Sequence, residues 1–535
     1  MALLHSPEAL RRQDLLLLGV FCGVLFGYSL IGGRSLTMHE AVLPQSAREM
    51  LADGDWIVPK SGGRPWLERP PLPQWITVAI ASLVGRCDQE WIVRIGPALM
   101  GTFIILALGA FVGRQLGRRM GLLSGICLAT MFQFTRYSWL AEQDIFLSAI
   151  VTSAVLLFGV IEFQTTSTEN EDRSFLGKRS RLVLGLFAVL ATTNLAKGLL
   201  FGTVMAALPM AGFLLWNRDW SRIARYVWLW GWALYGVTSV LWPIASMVRY
   251  PDVVDLWWFD LAGRLSGEYT DINQPAWYYL TTLPWVIAPW TPLALVGLWQ
   301  TRKVAFGQKY SFERFLWCWA MLPPLVFSFA SGKHHHYLLQ CIAPWAILAA
   351  FGLVWLQEKV VSLGHPLRRV QVATAGFIGV VVVLYCVGYT VAGRYFDQCR
   401  HDTKFLKGVA THVPAEAPVF ACEDPKALDA FRLLFYLPPK TTLLHNTTFL
   451  LDESIPNRDL YLVTRYGEIE RLLQFADVEV LTQSEYSRRA KTKNDLLTLF
   501  KVRVRPDVAR YPGSPRVSPM QAMGREPGPY LGRPL

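Results

Sequence analysis

The sequence predicts an α-helical protein that crosses a membrane eleven times and carries a small α/β domain near its C-terminal end. Three observations support this prediction. Of the 535 residues, 52% are hydrophobic and only 17% are charged, which lies outside the balance of a soluble protein. Long apolar runs recur up to residue 393, and basic residues gather in every second connection between them. After residue 394 the pattern changes to short alternating segments.

The apolar runs are the first element of the prediction, because a helix needs about 20 mostly apolar residues to cross a bilayer. A further apolar segment, 71–84, is short and starts in a cluster of prolines, so we expect an interfacial or re-entrant helix there. With such segments the count is about 11 to 13 helices. The eleven runs lie at 15–33, 95–113, 120–135, 145–161, 182–196, 198–217, 226–248, 276–300, 315–332, 337–357 and 370–393.

The basic residues set the orientation, because short cytoplasmic loops are enriched in Lys and Arg. A cytoplasmic N-terminus puts the long loop 34–91 and the residues after 394 outside, and a twelfth span at 71–84 would break the alternation. The net charge of +12 therefore reflects topology, and we expect no nucleic-acid partner. The basic clusters lie at 11–12, 114–119, 173–181, 218–225, 302–314 and 359–369.

Three regions follow from these patterns. Residues 1–393 form the membrane domain, including its first outer loop at 34–91, and residues 394–505 form an outer α/β domain. In that domain APVFACED, TTLLHN, RDLYLVTR and DVEVLTQ read as strands, and KALDAFRLLFYL and YGEIERLLQFA show helical spacing. The end of the chain, 506–535, is rich in Pro, Gly and Arg, which predicts disorder.

Unusual ionisable residues converge on the outer face. Charges at membrane depth are costly and tend to be functional, and the predicted topology places these residues in the outer loops or at the outer ends of spans. The segments that carry them include RYSWLAEQD, NLAKGLL, WWFDLAGRLSG and SGKHHHYLL. The residues are His39, Glu40, Glu68, Arg69, Glu142, Asp144, Lys197, Asp260, Arg264, Lys333, His334, His335 and His336.

The run HEAVLPQSAREMLADGDWIVPKSGGRPWLERPPLPQW, residues 39–75, resembles the first outer loop of a known family. This family comprises the aminoarabinose-transferase and protein O-mannosyltransferase-like enzymes, which are integral membrane glycosyltransferases of the GT-C type. The resemblance extends over roughly residues 30 to 360, and His39 stands where the family has Asp, while Val42 stands where it commonly has Arg. The matching elements are Glu49-Met50, Gly54-Asp55-Trp56, Pro59, Trp66, Arg69-Pro70-Pro71-Leu72, Asp144 in AEQD, Lys197, Arg264, PAWYYL at 275–280 and SGKHHHYLL at 331–339.

The resemblance implies that a sugar is transferred from a polyprenyl-phosphate carrier to an acceptor on the outer side of a membrane, which we expect to be the bacterial inner membrane. The leaving phosphate needs cations, and the acceptor hydroxyl needs a base. Arg suits phosphate because its planar group donates two parallel hydrogen bonds. The candidate cations are Arg69, Lys197, Arg264 and Lys333, and the candidate bases are His39, Glu40, Glu68 and Asp144.

No cofactor is required by this chemistry. Three successive histidines on one helix point in different directions, so HHH at 334–336 is a weak metal motif. If a divalent metal binds, its ligands would be Glu68, His39 and His335. The sequence names neither sugar nor acceptor, which could be a lipid, an envelope glycan or a protein.

Two other classes remain open at this point. A transporter would also carry ionisable residues within its membrane domain, but we see no inverted repeat, and the charges gather at one face. A non-catalytic envelope-assembly protein would use the outer α/β domain to bind a partner. His39 in place of the family's Asp is compatible with that class.

Overall fold

The computed structural model describes residues 9–508 except 166–176, 199, 259–273, 331, 400–401, 423–426, 440, 445, 454, 456–457 and 489. Helices form the membrane part, with a π-helical extension at Val160–Gln164 and a 3-10 helix at His335–Cys341. The α-helices are α1 Arg12–Ile31, α2 Met38–Asp53, α3 Leu72–Val84, α4 Glu90–Leu116, α5 Arg118–Ala129, α6 Phe132–Trp139, α7 Asp144–Gly159, α8 Lys178–Lys197, α9 Phe201–Asn217, α10 Trp220–Tyr226, α11 Leu229–Arg249, α12 Tyr278–Val286, α13 Thr291–Gly307, α14 Phe312–Phe327, α15 Ala343–Ser362 and α16 Leu367–Cys399.

The predicted spans agree with these helices. Each of the eleven runs overlaps one helix or two consecutive helices, although some runs extend a few residues past the helix ends. Among the described residues, six helices are long and apolar enough to cross a membrane alone, and the bent pair α12 and α13 can act as a seventh span. Helix α3 has 13 residues, so it is too short for a span, as expected for segment 71–84.

Two predicted spans are broken. Run 120–135 divides into α5 and α6, and run 276–300 bends by 112° between α12 and α13, next to Pro284 and Pro289. Backbone groups released at a break must find new partners in a membrane. The Tyr385 hydroxyl lies between both breaks, 3.0 Å from the Thr130 carbonyl oxygen and 3.1 Å from that of Ala288, so the two oxygens share its one proton. The two breaks therefore stabilise each other through α16.

Close helix contacts explain two glycines in the core. A Cβ added to Gly297 would lie 1.9 Å from the carbonyl oxygen of Leu348, and one added to Gly352 would lie 2.0 Å from that of Leu293. Helices α13 and α15 thus touch backbone to backbone, and only a residue without a side chain fits at these crossings.

The first outer loop contains two short strands, β1 Lys60–Ser61 and β2 Arg64–Pro65. The elements of the outer α/β domain are α17 Asp402–Val409, β3 Val419–Cys422, α18 Ala427–Tyr436, β4 Thr442–Leu444, β5 Leu460–Arg465, α19 Ile469–Leu472, β6 Ala476–Gln483 and β7 Leu497–Val504. Its five-stranded sheet has the order β4-β3-β5-β7-β6, with β3 parallel to β4 and β5, and β7 antiparallel to β5 and β6. The four predicted strands and both helical segments are present, and β7 was not predicted. The predicted disordered tail lies almost wholly outside the described residues.

The first outer loop and this domain lie on the same side of the helices. The Leu36 N–H donates to the Tyr436 hydroxyl at 2.8 Å, and the Arg48 guanidinium donates to the Phe435 carbonyl oxygen at 2.9 Å. At the other end, Arg118 pairs with Asp14 at 2.6 Å near the N-terminus. An odd number of crossings between loop 34–91 and the domain would have separated them, so the chain crosses an even number of times in between.

A reporter fusion tests the sidedness directly. A reporter fused after Arg394 is expected to report an extracytoplasmic position, and one fused after Arg181 a cytoplasmic position, because basic loops are retained inside. Paired alkaline phosphatase and green fluorescent protein fusions measure this. The opposite pattern at either fusion point contradicts the topology.

Candidate functional site

A cavity of about 420 Å³ lies at the outer ends of α8, α9 and α11. Three charged side chains line one part of it, namely Glu68, Arg69 and Lys197, and the polar Asn194 lies beside them. The remaining wall is aromatic and aliphatic. It consists of Pro70, Gly198, Leu200, Phe201, Val204, Trp242, Pro243, Trp257, Phe327, Ala330, Gly332 and Tyr337. The cavity therefore combines a small charged region with a long apolar surface.

Lys197 is the last residue of α8, and its ammonium group forms an ion pair with the carboxylate of Asp144, the first residue of α7. Both side chains are largely buried, at 10% and 12% exposure. The ammonium nitrogen also lies 5.4 Å from the ring centroid of Tyr337 and 5.8 Å from that of Phe201. Arg69 lies close enough to attract Asp144 as well. The structure thus brings together three residues that the sequence singled out.

Asn194 holds the end of α8 in place. Its amide nitrogen donates to the Ser239 hydroxyl at 2.8 Å and to the Tyr235 hydroxyl at 3.0 Å, and its amide oxygen accepts the Leu200 N–H at 2.8 Å. The turn between α8 and α9 is therefore tied to α11. This network fixes the position of Lys197 three residues further along the helix.

Glu40 is fully buried in an ion-pair network. Its carboxylate contacts Arg34 at 2.6 Å and Arg94 at 3.1 Å, and it accepts the Thr37 N–H at 3.0 Å. Burial acts to raise the pKa of Glu40, but the two guanidinium groups outweigh it and lower the pKa to about 2. A carboxylate held this firmly in its charged form anchors the first outer loop to α4. It is a poor proton acceptor, which argues against the base role the sequence allowed for it.

Glu142 is a residue that the sequence reading placed in an outer loop without assigning it a role. It lies between α6 and α7, two residues before Asp144, and is partly exposed. Among the described residues, no ion pair or hydrogen bond to its carboxylate is seen. Partial desolvation and the nearby carboxylates of Asp144 and Glu40 raise the pKa of Glu142 to about 8, against the opposing charges of Arg136 and Lys197. The signal available in the sequence was the Glu of AEQD, two residues before the candidate Asp144.

Two other described candidates, His39 and Lys333, are absent from the cavity lining. His39 is on the first turn of α2 with an exposed side chain. Lys333 is buried, and its ammonium group donates to the Gln274 carbonyl oxygen at 2.8 Å, so it supports a neighbouring loop and is absent from the described cavity lining. Arg264 and Asp260 lie outside the described residues.

The possible metal ligands do not assemble. Within the part of the chain that the structure describes, no group of three His, Cys, Asp or Glu side chains is close enough to hold a metal ion, so Glu68, His39 and His335 do not form one site. The His335 ring nitrogen Nδ1 instead lies 2.9 Å from the side-chain nitrogen of Gln133 on α6. The His334 and His336 rings stack with centroids 5.1 Å apart, while the His335 ring lies nearly perpendicular to that of His336, so the expectation that all three histidines point in different directions is wrong for His334 and His336.

Comparison with known sequences agrees with the resemblance found in the first outer loop. The family described as dolichyl-phosphate-mannose-protein mannosyltransferase matches residues 68–246. The undecaprenyl phosphate-alpha-4-amino-4-deoxy-L-arabinose arabinosyl transferase of Shewanella sediminis is 28% identical over 353 residues, covering 64% of this chain and 60% of the relative. Arabinosyl transferase 1 of Sodalis glossinidius is 30% identical, covering 63% of this chain and 58% of the relative. The chain thus matches about three fifths of the length of these relatives.

Comparison with solved structures identifies the fold. The ArnT structure from Cupriavidus metallidurans bound to undecaprenyl phosphate superposes with a TM-score of 0.71 at 17% identity, covering 91% of this chain and 97% of that one. The Archaeoglobus fulgidus oligosaccharyltransferase superposes with a TM-score of 0.55 at 11% identity, covering 86% of this chain and 70% of that one. These similarities confirm the predicted GT-C-like membrane fold with its outer domain.

Proposed function

We propose, from the premise that this chain is a GT-C type relative of the aminoarabinose transferases, that it is a membrane glycosyltransferase. It moves a sugar from a polyprenyl-phosphate carrier to an acceptor on the outer side of the bacterial inner membrane. The acceptor is a lipid, an envelope glycan or a protein. We expect no nucleic-acid partner. The expectation that the reaction needs no cofactor stays a prediction.

The cavity carries this proposal. A polyprenyl phosphate has an anionic head and a long apolar chain, and the cavity has Arg69 and Lys197 in one region with an apolar wall of Phe201, Val204 and Trp242 beside them. Arg is suited to a phosphate because of its two parallel donors. The ArnT structure from Cupriavidus metallidurans has undecaprenyl phosphate bound, which supports the same class of ligand here.

The reaction makes one bond and breaks one. The acceptor oxygen attacks the anomeric carbon of the sugar, and the bond between that carbon and the carrier phosphate oxygen breaks, with the electron pair leaving on the phosphate. Arg69 and Lys197 stabilise the charge that develops on the phosphate oxygens. A carboxylate takes the acceptor proton as the new bond forms.

Glu142 is the carboxylate best suited to take that proton. Glu40 is committed to two arginines and Asp144 to Lys197, so both are held in the charged form by cations. Glu142 lies close enough to Lys197, a residue of the cavity wall, to interact with its charge. The raised pKa of Glu142 matches the requirement that a general base titrate near the working pH. Glu68 lines the cavity and is the second candidate.

Incubation of the purified protein with a panel of radiolabelled polyprenyl-phosphate sugars and a membrane extract tests the function. One donor is expected to transfer its label to an extract component, and free polyprenyl phosphate is expected to inhibit. An Arg69→Ala protein, with its weakened carrier binding, serves as the low-activity control. If no donor in the panel loses its sugar to any acceptor while the protein remains folded, the proposal is wrong.

His39 is expected to be dispensable, although it stands at the family's Asp position. Its side chain is exposed on the first turn of α2, and His39 is absent from the described cavity lining. His39→Ala should keep most of the turnover, and His39→Asp should leave the acid limb of the pH-rate profile in place. Because a His base has a reference pKa of about 6.5 and an Asp base about 3.9, a limb that moves to lower pH in His39→Asp would instead identify His39 as the base.

A further inference from the structure

A short hairpin lies just before the charged part of the cavity. Its strands are β1 Lys60–Ser61 and β2 Arg64–Pro65, joined by Gly62 and Gly63. Both glycines have positive φ, 61° and 79°, a conformation that residues with side chains rarely adopt. Glu68 and Arg69 follow the hairpin within four residues, so the position of the hairpin limits the positions that these two residues can take.

The outer domain holds the turn of this hairpin. A Cβ added to Gly62 would lie 2.7 Å from the Cβ of Leu443 in β4 and 3.1 Å from a methyl carbon of Leu434 in α18. The turn therefore lies directly against the domain at Gly62. A Cβ added to the neighbouring Gly63 meets nothing within 4 Å, so the contact is confined to one of the two glycines.

Two side chains extend this contact toward the cavity. The Arg64 guanidinium donates to the Leu443 carbonyl oxygen at 3.0 Å. The Trp66 ring lies edge-on to Phe431 of α18, with centroids 5.7 Å apart, and Trp66 is 8% exposed. The strand leading to Glu68 is thus bound to the domain at successive alternate residues.

Helix α2 connects the same hairpin to the same domain. The Glu49 carboxylate accepts the N–H groups of Gly62 at 2.6 Å and Gly63 at 2.9 Å. Its neighbour Arg48 donates to three carbonyl oxygens at the C-terminal end of α18, those of Leu434, Phe435 and Leu437, at 2.7 to 3.1 Å. Hairpin, helix and domain therefore form one closed set of contacts.

The chain is also fixed from the membrane side before it reaches the cavity. The Trp66 N–H donates to the Pro59 carbonyl oxygen at 2.7 Å, and the Leu67 carbonyl oxygen accepts the Trp257 indole N–H at 2.8 Å. Leu67 is fully buried. With Trp66 held by the domain and Leu67 held by Trp257, the next two residues, Glu68 and Arg69, have little freedom to move.

We propose that the outer α/β domain positions Glu68 and Arg69 through the hairpin, with Gly62 and Arg64 as positioning residues. This inference rests on the proposed function. The domain then contributes to carrier binding without touching the carrier. The contact between Leu443 and Gly62 determines how closely Arg69 approaches the carrier phosphate. Small displacements of such a group are costly, since a shift of about 1 Å can cost roughly 100-fold in rate.

The two glycines provide a matched pair of variants. Gly62→Ala and Gly63→Ala both place alanine at positive φ next to the same Glu49 acceptor, but only the first adds a methyl group against Leu443. We expect Gly62→Ala to weaken binding of polyprenyl phosphate, and to lower kcat/KM for the donor, by about 10- to 100-fold more than Gly63→Ala. Carrier affinity is measured by lipid-binding native mass spectrometry, and thermal unfolding is measured in parallel.

Arg64 supplies a second test if Gly62→Ala fails to fold. Arg64→Ala is expected to weaken carrier binding while the melting temperature stays close to that of Lys60→Ala, a control on the same hairpin whose ammonium group pairs with Asp53 inside the loop. Equal carrier affinity in Gly62→Ala and Gly63→Ala, or in Arg64→Ala and Lys60→Ala, overturns the inference. Absence of carrier binding and transfer in the unaltered protein overturns the proposed function instead.

Discussion

Glu142→Gln is expected to lower kcat by roughly 100- to 10,000-fold, the range typical for loss of a general base, while affinity for the carrier changes little. The amide keeps the size of the side chain but cannot accept the acceptor proton. Arg69 and Lys197, which line the cavity, are unaltered in this variant, so both cations remain available to bind the carrier phosphate. Donor turnover and carrier binding measured on the same preparation separate the two effects.

The pH dependence provides a sharper form of this prediction. Desolvation and neighbouring carboxylates raise the pKa of Glu142 to about 8. A base works when it is deprotonated, so kcat of the unaltered protein should fall about tenfold per pH unit below that pKa. Glu485→Gln, at an exposed site on the outer domain, is the control and should keep the same profile. A profile without an acid limb near pH 8 would contradict the assignment.

Arg69→Ala is expected to weaken carrier binding by about 10- to 100-fold, because a hydrogen bond to a charged group contributes about 1.5 to 3 kcal/mol. Arg69→Lys should recover part of the loss, since an ammonium group supplies the charge without the two parallel donors. Arg69 lines the cavity beside Lys197, which keeps some cationic charge in either variant. Titration with polyprenyl phosphate measures the affinity.

Arg86→Ala is the matched control for Arg69, since Arg86 lies in the same outer loop and forms an exposed pair with Asp88. It should bind the carrier like the unaltered protein. Carrier binding that is the same in Arg69→Ala and Arg86→Ala would remove Arg69 from the phosphate site.

The membrane fold could be predicted from sequence because its signals are local. Each span is a continuous apolar run, and the basic loops alternate, so α1 and α7 were placed to within three residues at each end, while α4 and α16 extend up to six residues beyond the predicted runs. The proline-rich start of α3 likewise indicated a helix too short to span. The motif around Glu68 and Arg69 is also contiguous, which is why the two cavity residues were identified before any geometry was known.

The remaining features depend on contacts between distant segments. The breaks at Thr130 and Ala288 are stabilised by Tyr385, more than 90 residues away, so neither run shows where it will break. Glu40 was a plausible base until Arg94 was seen to neutralise it across 54 residues. Glu142 becomes the preferred base only because its neighbours Glu40 and Asp144 are paired with arginine and lysine side chains in the structure.

The measurement that tests the central claim most directly is an experimental structure of the protein with polyprenyl phosphate bound in a lipid nanodisc. We expect phosphate density within hydrogen-bond distance of Arg69, near Lys197, with the first isoprene units against Phe201, Val204 and Trp242. Lipid phosphate bound at another site, with this cavity filled by a membrane acyl chain at saturating carrier, would contradict it.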